Sequence, residues 1–152
     1  MADNVGVHEK GSFTISDVLS SIRKKDSSKK AGAIAMFVGV VREQTLDGKK
    51  VEKMTIEAYE EKANEVLAKI SEDLTKKTGI VDVQIHHLLG DFFVGDDLVY
   101  VSVAGAHRTE VFSVLQEAVE RYKSEVPIFK KERVVDSEGK VTEYWVSEEH
   151  EP

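Results

Sequence analysis

The stretch LVYVSVAGAHRTEVF, residues 98–112, joins an apolar strand pattern directly to a helical one. Its first nine residues are almost continuously apolar, which is typical of a strand that is buried on both faces. From His107 the pattern predicts a helix that continues to about Val126, where Pro127 stops it. The predicted apolar stripe of this helix consists of Phe112, Leu115, Val119 and Tyr122. We therefore expect a buried strand that leads directly into the third helix of the chain.

The residues before this unit alternate between strand and helix patterns. A short strand is predicted at 12–15, and Ser16 begins a helix whose apolar residues share one face. A polar loop at 24–32 leads to a β-rich run at 33–43. Gly39 inside that run indicates a bulge or a close approach of the backbone to a neighbour.

The middle of the chain predicts one more helix between two strands. An Asp-Gly turn precedes 51–59, which we interpret as a returning strand. Apolar residues at helical spacing predict a helix at 60–77, and Gly79 is typical of a helix end. The apolar pattern at 80–90 predicts the next strand.

The last segments, IFKKERVV and VTEYWV, flank DSEGK and predict a closing β-hairpin. The predicted order is β-α-β-β-α-β-β-α-β-β, which mixes helices with hairpins and indicates an α+β fold with a mixed or antiparallel sheet. We expect one domain over residues 1–152. Residues 1–11 are expected to form a loose arm and residues 147–152 an acidic tail.

The composition excludes several classes of function. The net charge is −7, which argues against broad nucleic-acid binding. The absence of cysteine excludes disulfides, thiolate catalysis and cysteine-based zinc sites, so any sulfur chemistry must use sulfur from another molecule. The longest apolar runs are about ten residues, roughly half of what a bilayer span needs. With no apolar signal segment, a cytoplasmic location and no membrane partner are expected.

The stretch GAHRTE places His107 and Arg108 where a strand meets a helix. Free N–H groups and the helix dipole favour an anion at a helix start. The guanidinium of Arg108 can hold phosphate or carboxylate through two hydrogen bonds. An alternative is that Arg108 pairs with Glu110 or another acid and that His107 caps the helix.

Three further cations are candidates for an anion site. Arg42 ends an apolar strand, where pockets commonly open. Lys123 lies in the last turn of the third helix, where the dipole alone would explain it. Alternation after Pro127 places Lys130 on the same face as Ile128. A solvent-exposed role for both lysines stays open on this pattern.

The pair His86-His87 does not predict a metal site. Adjacent residues of a strand point to opposite faces, so the two rings cannot bind one ion together. No metal is assigned.

Several segments occur in an order that is specific in combination. They are GAIAMFVGVVRE, IEAYEEKA, IHHLLGDFFVGDDLVYVSVAGAHRTEVF, YKSEVPIFKKE and a late WV. Together they span about residues 32–146 and resemble the large, catalytic subunit of molybdopterin synthase. The resemblance implies an α/β hammerhead-like α+β domain that forms a homodimer.

The resemblance also implies a reaction and a partner. A small ubiquitin-like carrier subunit would bind each copy of this chain, giving a heterotetramer. Its Gly-Gly thiocarboxylate would transfer sulfur to cyclic pyranopterin monophosphate and form the dithiolene of molybdopterin, without a permanently bound cofactor.

The resemblance further implies the site residues. Lys123 and Lys130 would be catalytic, and a second copy would present His107 and Arg108 across the dimer interface. The implied substrate-binding residues are Val40, Val41, Arg42, His107, Arg108, Lys131 and Glu132.

Three positions depart from the usual family pattern. Leu88 replaces an arginine, Phe129 replaces a tryptophan, and Val40 replaces a residue that is often basic. An alternative function is a non-catalytic adaptor that docks the Gly-Gly tail of a ubiquitin-like protein. The combination of Arg42, His107 and Arg108 with the two lysines argues for the enzyme, since an adaptor needs no phosphate site.

Overall fold

The computed structural model describes residues 4–146 as three helices around one sheet. The elements are β1 (Val5–Glu9), α1 (Ile15–Lys24), a short 3-10 helix (Asp26–Lys30), β2 (Ala33–Val40), β3 (Lys50–Ala58), α2 (Glu60–Thr75), β4 (Ile80–Phe92), β5 (Asp97–Gly105), α3 (Arg108–Glu125), β6 (Ile128–Val135) and β7 (Val141–Val146). None of the helices in this part of the chain is long and apolar enough to cross a membrane.

The sheet confirms the predicted α+β class. Its strand order is β2-β5-β4-β3-β6-β7, and the pairs along this path are antiparallel. β1 pairs with β4 in parallel, so the sheet is mixed. The predicted closing hairpin is β6 and β7, joined by the turn at 136–140.

Strand β5 lies between β2 and β4 and is buried from Leu98 to Gly105, as the apolar run predicts. Gly39 on β2 confirms the expected close approach, because an added Cβ would lie 2.6 Å from a methyl of Val99. The pairing of β2 with β5 also shifts register between Gly39 and Val40. A larger residue at position 39 would therefore push apart two strands that the core needs in contact.

The buried face of α3 differs from the predicted stripe by one position. The buried residues are Val111, Val114, Ala118 and Tyr122, whereas Phe112 is 61% exposed. Leu115 and Val119 are only partly buried. The helix carries apolar residues on more than one face, so two registers fit its period. On the buried face, Val111, Val114 and Ala118 are small enough to let α3 pack closely against the sheet, and Tyr122 lies at its C-terminal end.

The prediction of a loose arm at 1–11 is wrong for residues 5–9. These form β1, which pairs with β4 from Val5 opposite Ile85 to Glu9 opposite Leu89. The segment is too short for its alternation to stand out, and its strand form depends on this distant partner. The predicted acidic tail at 147–152 lies outside the described residues.

Two local predictions near the first helix are also corrected. Residues 12–15 form no strand, because Thr14 caps α1 in a reciprocal capping box with Asp17. The loop predicted at 24–32 contains the 3-10 helix.

The interpretation of β3 as a strand that returns beside β2 is wrong. β3 pairs with β4 and β6, and only the bridge from Gln44 to Lys50 joins the two arms of the loop near the Asp-Gly turn. The turn closes a local loop at 41–49, in which the N–H of Thr45 bonds the carbonyl of Lys49 at 2.9 Å. This loop forms one wall of the groove at the candidate active site.

Candidate active site

A groove of about 760 Å³ opens where the end of β2, the loop at 41–49, the last turn of α3 and the β6–β7 hairpin meet. Five of the predicted site residues line it. They are Val40, Arg42, Lys123, Lys130 and Glu132. The groove therefore joins residues that lie up to 92 positions apart in the sequence.

Lys123 and Lys130 reach the same groove because the chain turns sharply at Pro127. The N–H of Val126 still bonds the carbonyl of Tyr122, whereas Ile128 already belongs to β6. The carbonyl of Pro127 accepts a hydrogen bond from the N–H of Tyr59 at 3.2 Å, which fixes the turn to the start of α2. The end of α3 and the start of β6 therefore bring both ammonium groups to one side of the sheet.

Alternation along β6 separates the remaining predicted residues. Lys130 and Glu132 face the groove, and Lys131 points to the other side of the strand. There its Nζ lies 5.4 Å from the centre of the Trp145 ring. The structure therefore does not place Lys131 among the groove-lining residues.

The groove is cationic although the chain is acidic. Among residues 4–146, its lining has four cationic side chains, Arg42, Lys49, Lys123 and Lys130, against two carboxylates, Asp47 and Glu132. Asp47 lies 3.6 Å from Lys49, and the Thr45 hydroxyl donates to its carboxylate and lowers its pKa. The excess of positive charge favours an anionic ligand, because local fields depend on placement and not on net charge.

Val41 has a structural position beside the groove. Its side chain is buried, its N–H bonds the carbonyl of Asp96 at 3.0 Å, and its carbonyl accepts from Gly95 at 2.9 Å. These bonds fix the backbone immediately before the exposed side chain of Arg42. Val40 lines the groove and is 48% exposed.

His107 and Arg108 lie at the opposite end of α3 from the groove. Both are exposed, and the side chain of His107 makes no capping bond to the helix. A helix rises 1.5 Å per residue, so Arg108 lies about 22 Å along α3 from Lys123. Within one chain these two residues cannot contact a small ligand in the groove.

The structure places His87 at the groove, although the sequence did not indicate it as a site residue. His87 is buried beneath the groove, and its ring meets that of Tyr122 edge to face at 5.7 Å. Its Nδ1 donates to the carbonyl of Leu88 at 3.0 Å. A carbonyl only accepts, so Nδ1 of His87 carries a proton. The strand alternation that ruled out a shared metal already separated His87 from His86.

Tyr144 and Trp145 are two further groove residues that the sequence did not indicate. They lie on β7, and strand pairing places Tyr144 directly opposite Glu132. Of the positions that depart from the family pattern, Leu88 and Phe129 do not line the groove. Leu88 is buried, and Phe129 packs against Tyr59 at 5.2 Å on the outer side of β6.

Comparisons with known proteins agree on one family. A catalytic subunit of molybdopterin synthase from Pyrococcus abyssi is 35% identical over 134 residues, which cover 88% of this chain and 84% of that protein. A probable molybdopterin synthase from Haloferax volcanii is 38% identical over 117 residues, covering 76% of this chain but 43% of that longer protein.

Solved structures show the same fold. The crystal structure of molybdopterin synthase from Staphylococcus aureus superposes with a TM-score of 0.81 at 26% identity and covers 97% of this chain and 99% of its own. A chain from Helicobacter pylori has a TM-score of 0.71 at 19% identity, with coverage of 97% and 93%. Its structure is described as a complex of subunits 1 and 2 of molybdopterin-converting factor.

The fold and the groove first define a class, a mixed α+β protein with a cationic cleft. The family model described as MoaE protein matches residues 9–125. The chain therefore belongs to the MoaE family, the catalytic subunits of molybdopterin synthase, which transfer sulfur in molybdenum cofactor biosynthesis.

Proposed function

We propose that the groove binds cyclic pyranopterin monophosphate together with the thiocarboxylate end of a small ubiquitin-like carrier, and that sulfur passes between them there. The observation that carries this proposal is the cationic groove between Lys123 and Lys130 in a chain of net charge −7. Both ligands are anions, and both must lie in one place for the transfer. No resident cofactor takes part, and the product is molybdopterin.

Lys123 and Lys130 are the proposed catalytic residues. They approach the groove from a helix end and from a strand, so they can contact a ligand from two directions. A lysine ammonium can stabilise developing negative charge and can donate a proton to a leaving group. Arg42, which is exposed at the rim, suits the phosphate of the pterin.

A second copy of the chain completes the site in this proposal. β2 pairs only with β5 among residues 4–146, so its other edge is available to another strand. Ile34, Met36 and Val38 alternate on one face of β2, and Ile34 is 37% exposed. An apolar edge strand of this kind is suited to pairing with another chain.

Two-fold symmetry about the middle of β2 would bring the distant cations to the groove. Ala33 at one end of β2 pairs with Gly105, two residues before His107, and the other end leads to Arg42. A strand that meets its own copy antiparallel places its first residue beside the copy's last one. His107 and Arg108 of the second copy would then lie near Arg42, although they are remote from it in their own chain.

The proposed carrier tail is suited to the apolar part of the groove wall. Val40 and Leu46 line the groove and are at least 48% exposed. A Gly-Gly backbone has no side chains and can pass close to such residues before its anionic end meets the lysines. The description of the Helicobacter pylori structure as a two-subunit complex supports a partner of this kind. A cytoplasmic location stays a prediction.

The test is turnover with purified components. The chain is mixed with the thiocarboxylated carrier and cyclic pyranopterin monophosphate, and the dithiolene product is measured. Product formation that needs all three components supports the proposal. No product from the complete mixture would overturn it.

A further inference from the structure

The hairpin β6–β7 contains a contact between two groove residues that lie directly opposite each other on neighbouring strands, Glu132 and Tyr144. The Tyr144 hydroxyl donates to Oε1 of Glu132 at 2.8 Å. Both side chains line the groove. We propose that Tyr144 is a positioning residue for the sulfur-transfer reaction, which acts by holding the Glu132 carboxylate in a fixed orientation beside Lys130.

The surroundings of Glu132 explain why it needs such a donor. On the other side of β6 its neighbour is Met54 of β3, which is apolar and offers no hydrogen bond. Glu132 also shares its face with Lys130, two residues earlier on the strand. Among its two cross-strand neighbours, only Tyr144 can fix the carboxylate through a hydrogen bond.

The phenol keeps its proton over the whole working range of an enzyme. Burial, the hydrogen bond to Glu132 and the nearby charge of Asp47 raise the pKa of Tyr144 to about 12. Tyr144 is therefore a permanent donor to the carboxylate and does not itself exchange protons near neutral pH.

A fixed carboxylate matters for the lysine beside it. A mobile Glu132 could reorient toward any cation in the groove, including those that should meet the anionic ligands. Hydrogen bonds to an ionised group are strong and directional, so one donor can select one orientation. The role rests on the function proposed above, and Tyr144 itself is not required to touch either substrate.

The experiment is a double-mutant cycle on the complete complex with carrier and cyclic pterin. Tyr144→Phe keeps the ring and removes the hydroxyl, and Glu132→Gln removes the charge. We expect Tyr144→Phe to lower kcat about tenfold with little change in KM, on the scale of one charge-assisted hydrogen bond. In the Glu132→Gln background the same change should have no further effect, because the acceptor charge is already gone.

Tyr100→Phe is a matched control. It removes a hydroxyl that donates to the carboxylate of Asp97 at 2.7 Å, a tyrosine–carboxylate pair outside the groove lining. Its kcat should equal that of the wild type. Thermal melts of all variants identify any loss that comes from unfolding.

A second readout is independent of turnover. Titration of the tyrosine phenols by NMR should show the pKa of Tyr144 falling from about 12 toward an ordinary value in Glu132→Gln. An unchanged phenol titration would overturn the contact, and a wild-type kcat in Tyr144→Phe would overturn the positioning role. Multiplicative losses in the double variant would also overturn it. No turnover by the wild type would overturn the proposed function and the role with it, so the two failures are distinguishable.

Discussion

Nε2 of His8 lies 2.9 Å from Nδ1 of His86 and joins β1 to the centre of the sheet. The other nitrogen of His86, Nε2, lies 2.9 Å from Oε1 of Gln84. The amide of Gln84 donates to Asp82 and Ser21, so its oxygen must accept. His86 therefore donates from Nε2 and accepts from His8 at Nδ1, an arrangement that holds only while His86 is neutral.

This histidine pair predicts that the fold loses stability in mild acid. Burial, with the nearby charges of His8 and Lys25, lowers the pKa of His86 from 6.5 to about 3, and burial also lowers that of His8 against the opposing effect of Asp17. A histidine with a lowered folded-state pKa stabilises the protein above pH 6.5 and loses that contribution as the pH falls toward 3. Between pH 7.5 and 5.5, His86 alone should remove about 1.4 kcal/mol of unfolding free energy.

Urea unfolding at the two pH values measures this change. The other charged groups near the pair are Lys25, which bonds Asp82, and Asp17, whose charge acts on His8. His86→Gln keeps a polar side chain at the site and should flatten the dependence on pH. An equally steep dependence in that variant would show that other groups cause it.

Lys123→Ala and Lys130→Ala should each remove most of the turnover while the fold remains. A positioned acid or base contributes about 10²- to 10⁴-fold, and both ammonium groups lie in the groove. Single-turnover rates and thermal melts of each variant test this. Lys140→Ala is the control, because Lys140 is exposed in the β6–β7 turn. Wild-type rates in both groove variants would remove the lysines from the mechanism.

Strand β5, α3 and the closing hairpin could be predicted because their signals are local. The continuous apolar run before His107 and the turn residues between β6 and β7 act within a few positions. The face of β6 on which Lys130 lies could be predicted in the same way, from the alternation of side chains after Pro127. Local sequence thus predicts which segments form and which way their side chains alternate.

The neighbours of β1 and β3 could not be predicted, because each strand pairs with a segment far away in the chain. Val5 meets Ile85, and Lys50 meets Val135, so no local turn indicates either pair. The contact of Tyr144 with Glu132 and the position of His87 beneath the groove depend on the same assembly. A candidate site that is predicted from motifs alone therefore misses residues that reach the groove only because of the order of the strands in the sheet.

The carrier tail gives a prediction about the partner. We expect complex formation and sulfur transfer both to weaken when the last two glycines of the carrier are removed. A chain without side chains can lie close to the groove wall, and the truncated tail would lose this contact. Binding is measured by calorimetry and transfer by product formation, with the intact carrier as the reference. Sulfur transfer from free sulfide with no carrier present would contradict the two-subunit reaction.

The proposed completion of the site by a second copy predicts complementation between two inactive variants. Arg108→Ala and Lys123→Ala should each be inactive alone, because every site in either homodimer lacks one group. In a mixed dimer, one site has both changes and the other combines an intact Lys123 with an intact Arg108 from the second copy. Random mixing gives half mixed dimers with one working site each, so about a quarter of wild-type turnover should return.

The mixture is made by unfolding the two variants together and refolding them, and it is compared with separately refolded samples that are combined afterwards. The matched control is the pair Lys123→Ala and Lys130→Ala, in which both changes remove groups that one copy contributes to its own groove. Both lysines line the groove of their own chain, so each working site would need them from one copy, and mixing cannot restore it. Recovery by the first pair and not by the second is the expected result. Equal recovery, or none in either pair, would show that Arg108 does not act across the two-fold axis.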